Sequence, residues 1–216
     1  MQPLLIYCYD AWCGWCYGFS PVMKKIAGKY ANQIQFEVVS GGMILPAQPV
    51  SIQVMADYIK EAYPTVEERT GIRFGNDFLW HIHHADQSDW FPSSELPAIA
   101  LSVFKSFLPD NQIQVASDIQ YALFEEGRDL TDQEAYRHLL LQYGIDDNLF
   151  YQRLKDPAFK EQAYEEFDLC KQLRVTGYPQ LLCRLSETKY QLVASGYTDE
   201  NTIESRIQQI LNSIQF

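Results

Sequence analysis

Residues 4–16 of the chain read LLIYCYDAWCGWC, an apolar run that leads into two cysteines separated by two residues. The run at 4–9 predicts a buried strand, and residues 13–30 predict a helix. Cys13 then lies at the start of a helix, where unpaired main-chain N–H groups and the helix dipole favour an anion. A thiolate is such an anion, so this CxxC pair is predicted to be a redox centre.

The two ends of the chain predict the strands of one sheet. Residues 34–39 form a second strand after the first helix, so the chain starts as a β-α-β unit. A helix is predicted at 159–173, and strands at 180–185 and 190–194 follow it. Asp199 is a candidate N-cap for a last helix, whose apolar residues recur at helical spacing.

The residues between these ends predict helices. Their apolar periodicity places helices at 54–62, 97–107, 113–125, 132–143 and 147–154. The predicted fold class is therefore α/β, with a helical domain inserted after the first β-α-β unit. We expect the sheet domain to comprise residues 1–46 and 157–216, and the inserted helical domain to comprise residues 47–156.

Composition limits the classes of partner. The chain is 47% hydrophobic and carries a formal net charge of −11, which argues against nucleic acid or an anionic membrane as the main partner. No apolar run approaches the roughly 20 residues of a membrane span. The N-terminus shows no signal peptide, so a cytoplasmic location is expected, although a chain whose signal peptide had been removed would look the same.

The chain has five cysteines, an odd number that disfavours a full disulfide framework. Cys8 alternates inward on the first strand and is expected to be an inert buried thiol. Cys170 lies on the helix before Pro179 and Cys183 on the strand after it, and both are expected to be core residues rather than a second redox pair. Zinc is the alternative for Cys13 and Cys16, but a tetrahedral site usually needs a second close pair. No metal is therefore expected.

His81, His83 and His84, with Asp86 and Asp89 nearby, form a second candidate metal site. Their i, i+2, i+3 spacing does not place all three histidines on one helix face. Because a metal site needs convergent ligands, a solvated or loop cluster is the favoured interpretation.

Later features of the chain resemble the thioredoxin fold. Thioredoxins place CxxC at the start of the first helix, a proline five residues after the second cysteine, and a cis-proline on a loop facing the dithiol. Pro21 lies five residues after Cys16, as the thioredoxin proline does. VTGYP at residues 175–179 resembles the cis-proline loop, with Pro179 in the cis-proline position. The helical insertion resembles the DsbA-like branch of this fold.

A narrower resemblance covers nearly the whole chain. YDAWCGWCYGF at residues 9–19 is similar to the Y-D-P-x-C-x-W-C-x-x-F pattern of the cytoplasmic, bacterial DsbA-family proteins called predicted protein-disulfide isomerases. GGM at 41–43, SELPA at 94–98 and LFEEGRDL at 123–130 fit the same proteins. The resemblance implies a DsbA-like thioredoxin fold and a cytoplasmic thiol–disulfide oxidoreductase or isomerase.

At two positions this chain carries a different residue from the one that is usual in the proteins it resembles. Thioredoxins and DsbA carry a buried acid six residues before the first cysteine, where this chain has Tyr7. Proton transfer to and from Cys16 then needs another group, for which Asp10 and water are the candidates. Tyr178, before Pro179, is bulkier than the usual threonine, isoleucine or valine and should alter the peptide groove.

The expected mechanism gives the two cysteines different roles. Cys13, the more exposed thiol, attacks a substrate disulfide, and Cys16 resolves the mixed disulfide. Pro179 would hold the substrate backbone beside Cys13. Aromatic side chains near the dithiol are expected to form an apolar rim for an unfolded peptide, with packing beneath the helix as the alternative for part of the set. These side chains are Trp12, Trp15, Tyr17, Phe19 and Tyr178.

The expected substrates are thiol- or disulfide-containing proteins or peptides. No bound cofactor is implied, and glutathione is a candidate redox partner. Gly14 and Trp15 between the cysteines include no histidine, the residue that DsbA itself uses to stabilise its thiolate. A reduction potential less oxidising than that of DsbA is therefore expected.

Two other functions remain open. Glutathione-dependent enzymes of the kappa transferase or hydroxychromene-carboxylate isomerase kind share the DsbA-like fold, but they usually need only one serine or cysteine at the Cys13 position. The presence of Cys16 therefore favours dithiol exchange. A non-catalytic binding module would leave the redox pair unexplained.

Overall fold

A mixed four-stranded sheet carries both ends of the chain. The computed structural model describes residues 3–214, and its strands are β1 (Leu4–Tyr9), β2 (Gln35–Ser40), β3 (Gln180–Arg184) and β4 (Tyr190–Ser195). The strand order is β2-β1-β3-β4, with β2 parallel to β1 and β3 antiparallel to both β1 and β4. The four predicted strands are confirmed to within about one residue at each end.

The described residues form α-helices that cover the sheet or build the lobe between β2 and β3. They are α1 (Gly14–Tyr30), α2 (Gln53–Thr70), α3 (Asn76–His83), α4 (Glu95–Phe107), α5 (Gln112–Phe124), α6 (Arg137–Tyr143), α7 (Asp147–Leu154), α8 (Pro157–Gln172) and α9 (Glu200–Ile214). A 3₁₀ turn at Gln133–Tyr136 leads directly into α6. The predicted α/β fold with a helical insertion after the first β-α-β unit is confirmed.

Two helices of the lobe differ from the prediction. α2 continues through Pro64 to Thr70 instead of ending near residue 62, because Val66, only 2% exposed, still packs into the core. It ends at Gly71, whose φ of 77° lies in the left-handed region that favours glycine. The sequence pattern does not predict α3, a helix of eight residues.

The clustered histidines lie in α3 and at its C-cap and not in a loop, but His83 and His84 are exposed, in agreement with the solvated interpretation. His81 stacks on Trp90 with the ring centroids 3.9 Å apart, whereas His84 stacks on Trp80 at 5.2 Å. The rings therefore pack on different aromatic neighbours and do not converge. Within residues 3–214, no group of three or more His, Cys, Asp and Glu side chains is arranged to hold a metal ion.

β1 is buried on both faces, and strand alternation sorts its side chains. The odd-numbered residues, including Tyr7, face the larger core against α1, and the even-numbered residues, including Cys8, face a smaller cluster that contains Cys170. Cys8, Cys170 and Cys183 are each at most 1% exposed, which confirms that these three thiols are buried.

Candidate active site

The turn between β1 and α1 places Cys13 at the N-cap of the helix. The main-chain angles of Cys13 are extended (φ −86°, ψ 106°), and its Sγ accepts a hydrogen bond from the main-chain N–H of Cys16 at 3.3 Å. The N–H of Cys13 donates to the main-chain O of Asp10 at 3.1 Å and closes the turn. A sulfur that accepts an N–H of the first helical turn is well placed to carry negative charge.

Cys16 lies one turn deeper in the helix. Cys13 is 6% exposed and Cys16 is 0% exposed, which confirms that the second thiol is the less accessible one. Burial raises the pKa of Cys16 well above its ordinary value, and the hydrogen bond and charge of Cys13 raise it further. Both residues are free thiols in the structure, and burial favours the neutral form of Cys16.

The loop after α8 meets the dithiol from the far end of the sequence. The Tyr178–Pro179 peptide bond is cis, and the Cys13 thiol donates to the main-chain O of Tyr178 with an Sγ···O distance of 3.4 Å. Pro179 is buried, and its main-chain O accepts from the N–H of Gly196 at 2.8 Å. The predicted cis-proline loop beside the first cysteine is therefore confirmed.

The Tyr178 side chain packs on the segment after β2. Its hydroxyl donates to the main-chain O of Gly41 at 2.9 Å, and its ring lies so close that a Cβ at Gly41 would overlap it. The N–H of Gly41 donates in turn to the main-chain O of Tyr9 at 2.8 Å. The bulk of the tyrosine is thus accommodated by a glycine on the neighbouring segment.

Asp10 joins three segments around the dithiol. Its side chain is 1% exposed, and its Oδ1 accepts from the N–H of Trp12 at 3.0 Å and from the hydroxyl of Ser94 at 2.9 Å. Its Oδ2 accepts from the N–H of Met43 at 2.7 Å. Burial raises the pKa of this carboxyl, and the three donors oppose the rise. The main chain of Asp10 opposes the rise in the pKa of Cys16, whereas the charge of its carboxylate adds to that rise.

Gln120 is a site residue that the sequence analysis does not identify. This side chain of α5 is 1% exposed, and its Nε2 donates to the main-chain O of Asp10 at 3.0 Å and to that of Cys13 at 3.4 Å. It therefore ties the helical lobe to the turn that carries Cys13. The signal that would find it is a polar residue in the apolar stripe of α5, between Ala116 and Leu123.

An apolar cavity of about 210 Å³ opens beside Cys13, between the start of α1 and α2. Among the described residues, none with a charged side chain lines it. A larger groove of about 830 Å³ lies along β2 and contains neither cysteine of the dithiol. The cavity at the dithiol therefore suits an uncharged, apolar group. Its walls include Trp12, Cys13, Trp15, Met43, Tyr58 and Tyr178.

The predicted aromatic rim is only partly at the surface. Trp12 is 6% exposed and forms part of the cavity wall, and Trp15 and Tyr178 are half-buried beside it. Tyr17 and Phe19 belong to the core and not to the rim, as the alternative of packing beneath the helix expects for part of the set. They point inward because this face of α1 packs against the helical lobe and the sheet.

The sequence matches the family model of the DSBA-like thioredoxin domain over residues 5–208. A comparison with curated proteins finds no significant match.

Solved structures share the fold. A protein from Nitrosomonas europaea, provisionally assigned as a protein disulfide isomerase, superposes with a TM-score of 0.82 at 21% identity over 99% of each chain. The cytosolic disulfide reductase DsbM from Pseudomonas aeruginosa, also solved with GSH, gives 0.79 at 20% identity over 97% of this chain and 98% of its own. A 2-hydroxychromene-2-carboxylate isomerase gives 0.66 at 14% identity over 97% of both. Because the family model spans nearly the whole chain and these structures share its fold, the protein belongs to the family of DSBA-like thioredoxin domains.

Proposed function

We propose that the protein is a thiol–disulfide oxidoreductase or isomerase that works through its CGWC dithiol. The observation that carries this proposal is the position of the Cys13 sulfur. It accepts the N–H of Cys16 at the start of α1 and lies 3.4 Å from the main-chain O of Tyr178 on the cis-proline loop. A nucleophile at a helix N-terminus, with a second thiol buried one turn behind it, is the arrangement that disulfide exchange requires.

The reaction proceeds in two exchanges. The Cys13 thiolate attacks one sulfur of a substrate disulfide, the S–S bond breaks, and the other substrate sulfur leaves as a thiolate. Cys16 then loses its proton to solvent and attacks the Cys13 Sγ, which releases the second substrate sulfur as a thiolate and forms the enzyme disulfide. Two electrons pass from the dithiol to the substrate, and the same steps in reverse oxidise a substrate.

The surroundings of Cys13 favour a polypeptide substrate with an apolar side chain near its cysteine. Pro179 and the main-chain O of Tyr178 offer an edge along which a peptide backbone can lie, and the adjacent cavity takes the side chain. Trp12 and Trp15 form part of that cavity and are proposed as substrate contacts. Asp10 does not contact the substrate in this proposal. It supports the cavity wall, because its carboxylate binds the N–H groups of Trp12 and Met43.

The test is insulin-disulfide reduction and reactivation of scrambled ribonuclease by cysteine variants. Cys13→Ser should abolish both activities, and Cys16→Ser should stop turnover after the first exchange. Cys183→Ser is the matched control, because this thiol is equally buried but lies on β3 and should leave both activities intact. Full activity of Cys13→Ser would reject the proposal.

A glutathione-dependent transferase or isomerase is the second candidate, favoured by the shared fold of the chromene-carboxylate isomerase. Glutathione carries two carboxylates, and no Lys or Arg is among the described residues that line the cavity. The cavity therefore offers no cation to hold glutathione as a transferase would, which favours dithiol exchange over this second candidate. We propose glutathione as a redox partner of the dithiol, in line with the GSH-bound DsbM structure. Conjugation or isomerisation activity that survives Cys16→Ser would instead support the second candidate.

We also propose a cytoplasmic location, which the similarity to a cytosolic reductase supports. Within residues 3–214, no helix combines the length and the apolar character needed to cross a bilayer.

A further inference from the structure

The Tyr7 hydroxyl is a buried polar group directly behind the dithiol. Tyr7 is 2% exposed on the central strand β1, and its ring packs against Tyr9 and Phe19 with centroid distances of 5.8 and 5.9 Å. Its hydroxyl donates to the main-chain O of Cys16 at 3.4 Å, a long hydrogen bond. Interaction with the Cys16 side chain is among the causes that raise the pKa of Tyr7. The hydroxyl therefore lies against Cys16, and its one hydrogen bond, to the main-chain O, is long.

The other polar groups nearby are committed elsewhere. The carboxylate of Asp10 accepts three hydrogen bonds, from Trp12, Met43 and Ser94, so both of its oxygens already have partners. Tyr9, two residues along the same strand face, is 1% exposed, and its hydroxyl has no hydrogen-bond partner among the described residues. Of the two buried phenols, only that of Tyr7 reaches the resolving cysteine.

We propose that the Tyr7 hydroxyl is a catalytic hydrogen-bond donor to the Cys16 sulfur whenever that sulfur carries negative charge, an inference that rests on the proposed dithiol exchange. Burial raises the pKa of Tyr7 well above its ordinary value, so the phenol keeps its proton and acts as a donor and not as a base. Hydrogen bonds to an ionised acceptor are stronger than neutral ones, so the O–H favours the thiolate over the carbonyl.

The donor acts at one step of the cycle. During resolution the Cys16 S–H gives its proton to solvent, the resulting thiolate attacks the Cys13 Sγ, and the bond from Cys13 to the substrate sulfur breaks. Tyr7 exchanges no proton or electron in this step and lowers only the free energy of the buried thiolate. In the reverse direction, the same O–H stabilises Cys16 as it leaves when a substrate thiolate attacks Cys13.

Reaction of the reduced protein with 5,5′-dithiobis(2-nitrobenzoate) separates the two exchanges. Attack by Cys13 releases one equivalent of the coloured thiolate, and resolution by Cys16 releases the second. Tyr7→Phe keeps the ring and removes only the hydroxyl. It should leave the first phase unchanged, slow the second about tenfold, and move the pH midpoint of the second phase upward by about one unit, because the Cys16 thiolate loses a charge-assisted hydrogen bond.

Tyr9→Phe is the matched control, since it removes a buried hydroxyl of the same strand that has no described partner, and both phases should stay as in wild type. An unchanged second phase in Tyr7→Phe, or equal slowing by Tyr9→Phe, would overturn the assignment. If Tyr7→Phe does not fold, 3-fluorotyrosine at position 7 takes its place. This residue is a more acidic donor and should speed the second phase, so an unchanged rate of that phase would overturn the assignment of Tyr7. If Cys13→Ser left the first phase unchanged, that result would instead reject the proposed function.

Discussion

Replacing Gly41 by alanine should disturb the active site through Tyr178. The ring and hydroxyl of Tyr178 occupy the space that a Cβ at position 41 needs. The φ of Gly41 is not in the left-handed region, so alanine adds no backbone strain and the effect is steric. Because the main-chain O of Tyr178 accepts from Cys13, a displaced tyrosine also moves the loop that borders Cys13.

The magnitude follows from two contacts. Overpacking a buried site by one methyl group costs about 1–3 kcal/mol, and loss of the hydrogen bond from the Tyr178 hydroxyl to Gly41 costs about 1 kcal/mol. Gly41→Ala should therefore lower the free energy of unfolding by about 2–4 kcal/mol. Tyr178→Phe removes only the hydroxyl and should cost about 1 kcal/mol.

Urea denaturation of a double-mutant cycle with Tyr178→Ala tests this reasoning. Removing the ring makes room for the added methyl group, so Gly41→Ala should be nearly harmless in the Tyr178→Ala background. The expected coupling between the two sites is therefore about 2–4 kcal/mol, the whole cost of Gly41→Ala in the wild-type background. Insulin reduction should fall in Gly41→Ala. Additive losses, or wild-type stability of Gly41→Ala, would refute the steric explanation.

Three further predictions concern the dithiol and its supports. Gln120→Leu removes the donor to the main-chain O atoms of Asp10 and Cys13 and should lower stability by about 1–3 kcal/mol in urea denaturation; an unchanged midpoint would contradict it. Burial raises the folded pKa of Asp10, so wild type should lose stability relative to Asp10→Asn as the pH rises above about 4, the unfolded value; a constant difference would contradict that sign. Equilibration with glutathione should give a potential more reducing than about −120 mV, because no histidine lies between the cysteines; a value near that figure would count against it.

Much of the fold follows from short sequence signals. The apolar run of β1 and the two cysteines after it predict the strand and the start of α1, because strand burial and N-cap chemistry are local. The Tyr178–Pro179 loop was predictable from the resemblance to thioredoxins and is cis in the structure. The helices of the lobe follow from apolar periodicity, although α3 is too short for a clear period.

The contacts that complete the site depend on residues far apart in sequence. Gln120 reaches Asp10 and Cys13 from α5, and no local pattern marks one buried glutamine as part of a site. In the sequence, Gly41 marks only the end of the second strand. The requirement for a residue without a Cβ at position 41 becomes visible only in the structure, where Tyr178 packs on it. Periodicity places Tyr7 inward on β1, but its contact with Cys16 requires the α1 geometry.

Trapping the mixed disulfide tests most directly whether Cys13 is the nucleophile of a dithiol enzyme. Reduced Cys16→Ser protein, incubated with a disulfide-containing peptide that has an aromatic residue next to its cysteine, should form a covalent adduct. Mass spectrometry should place that adduct on Cys13 alone, and dithiothreitol should release it. No adduct, or an adduct on Cys8, Cys170 or Cys183 with Cys13 left free, would contradict the assignment of the active site.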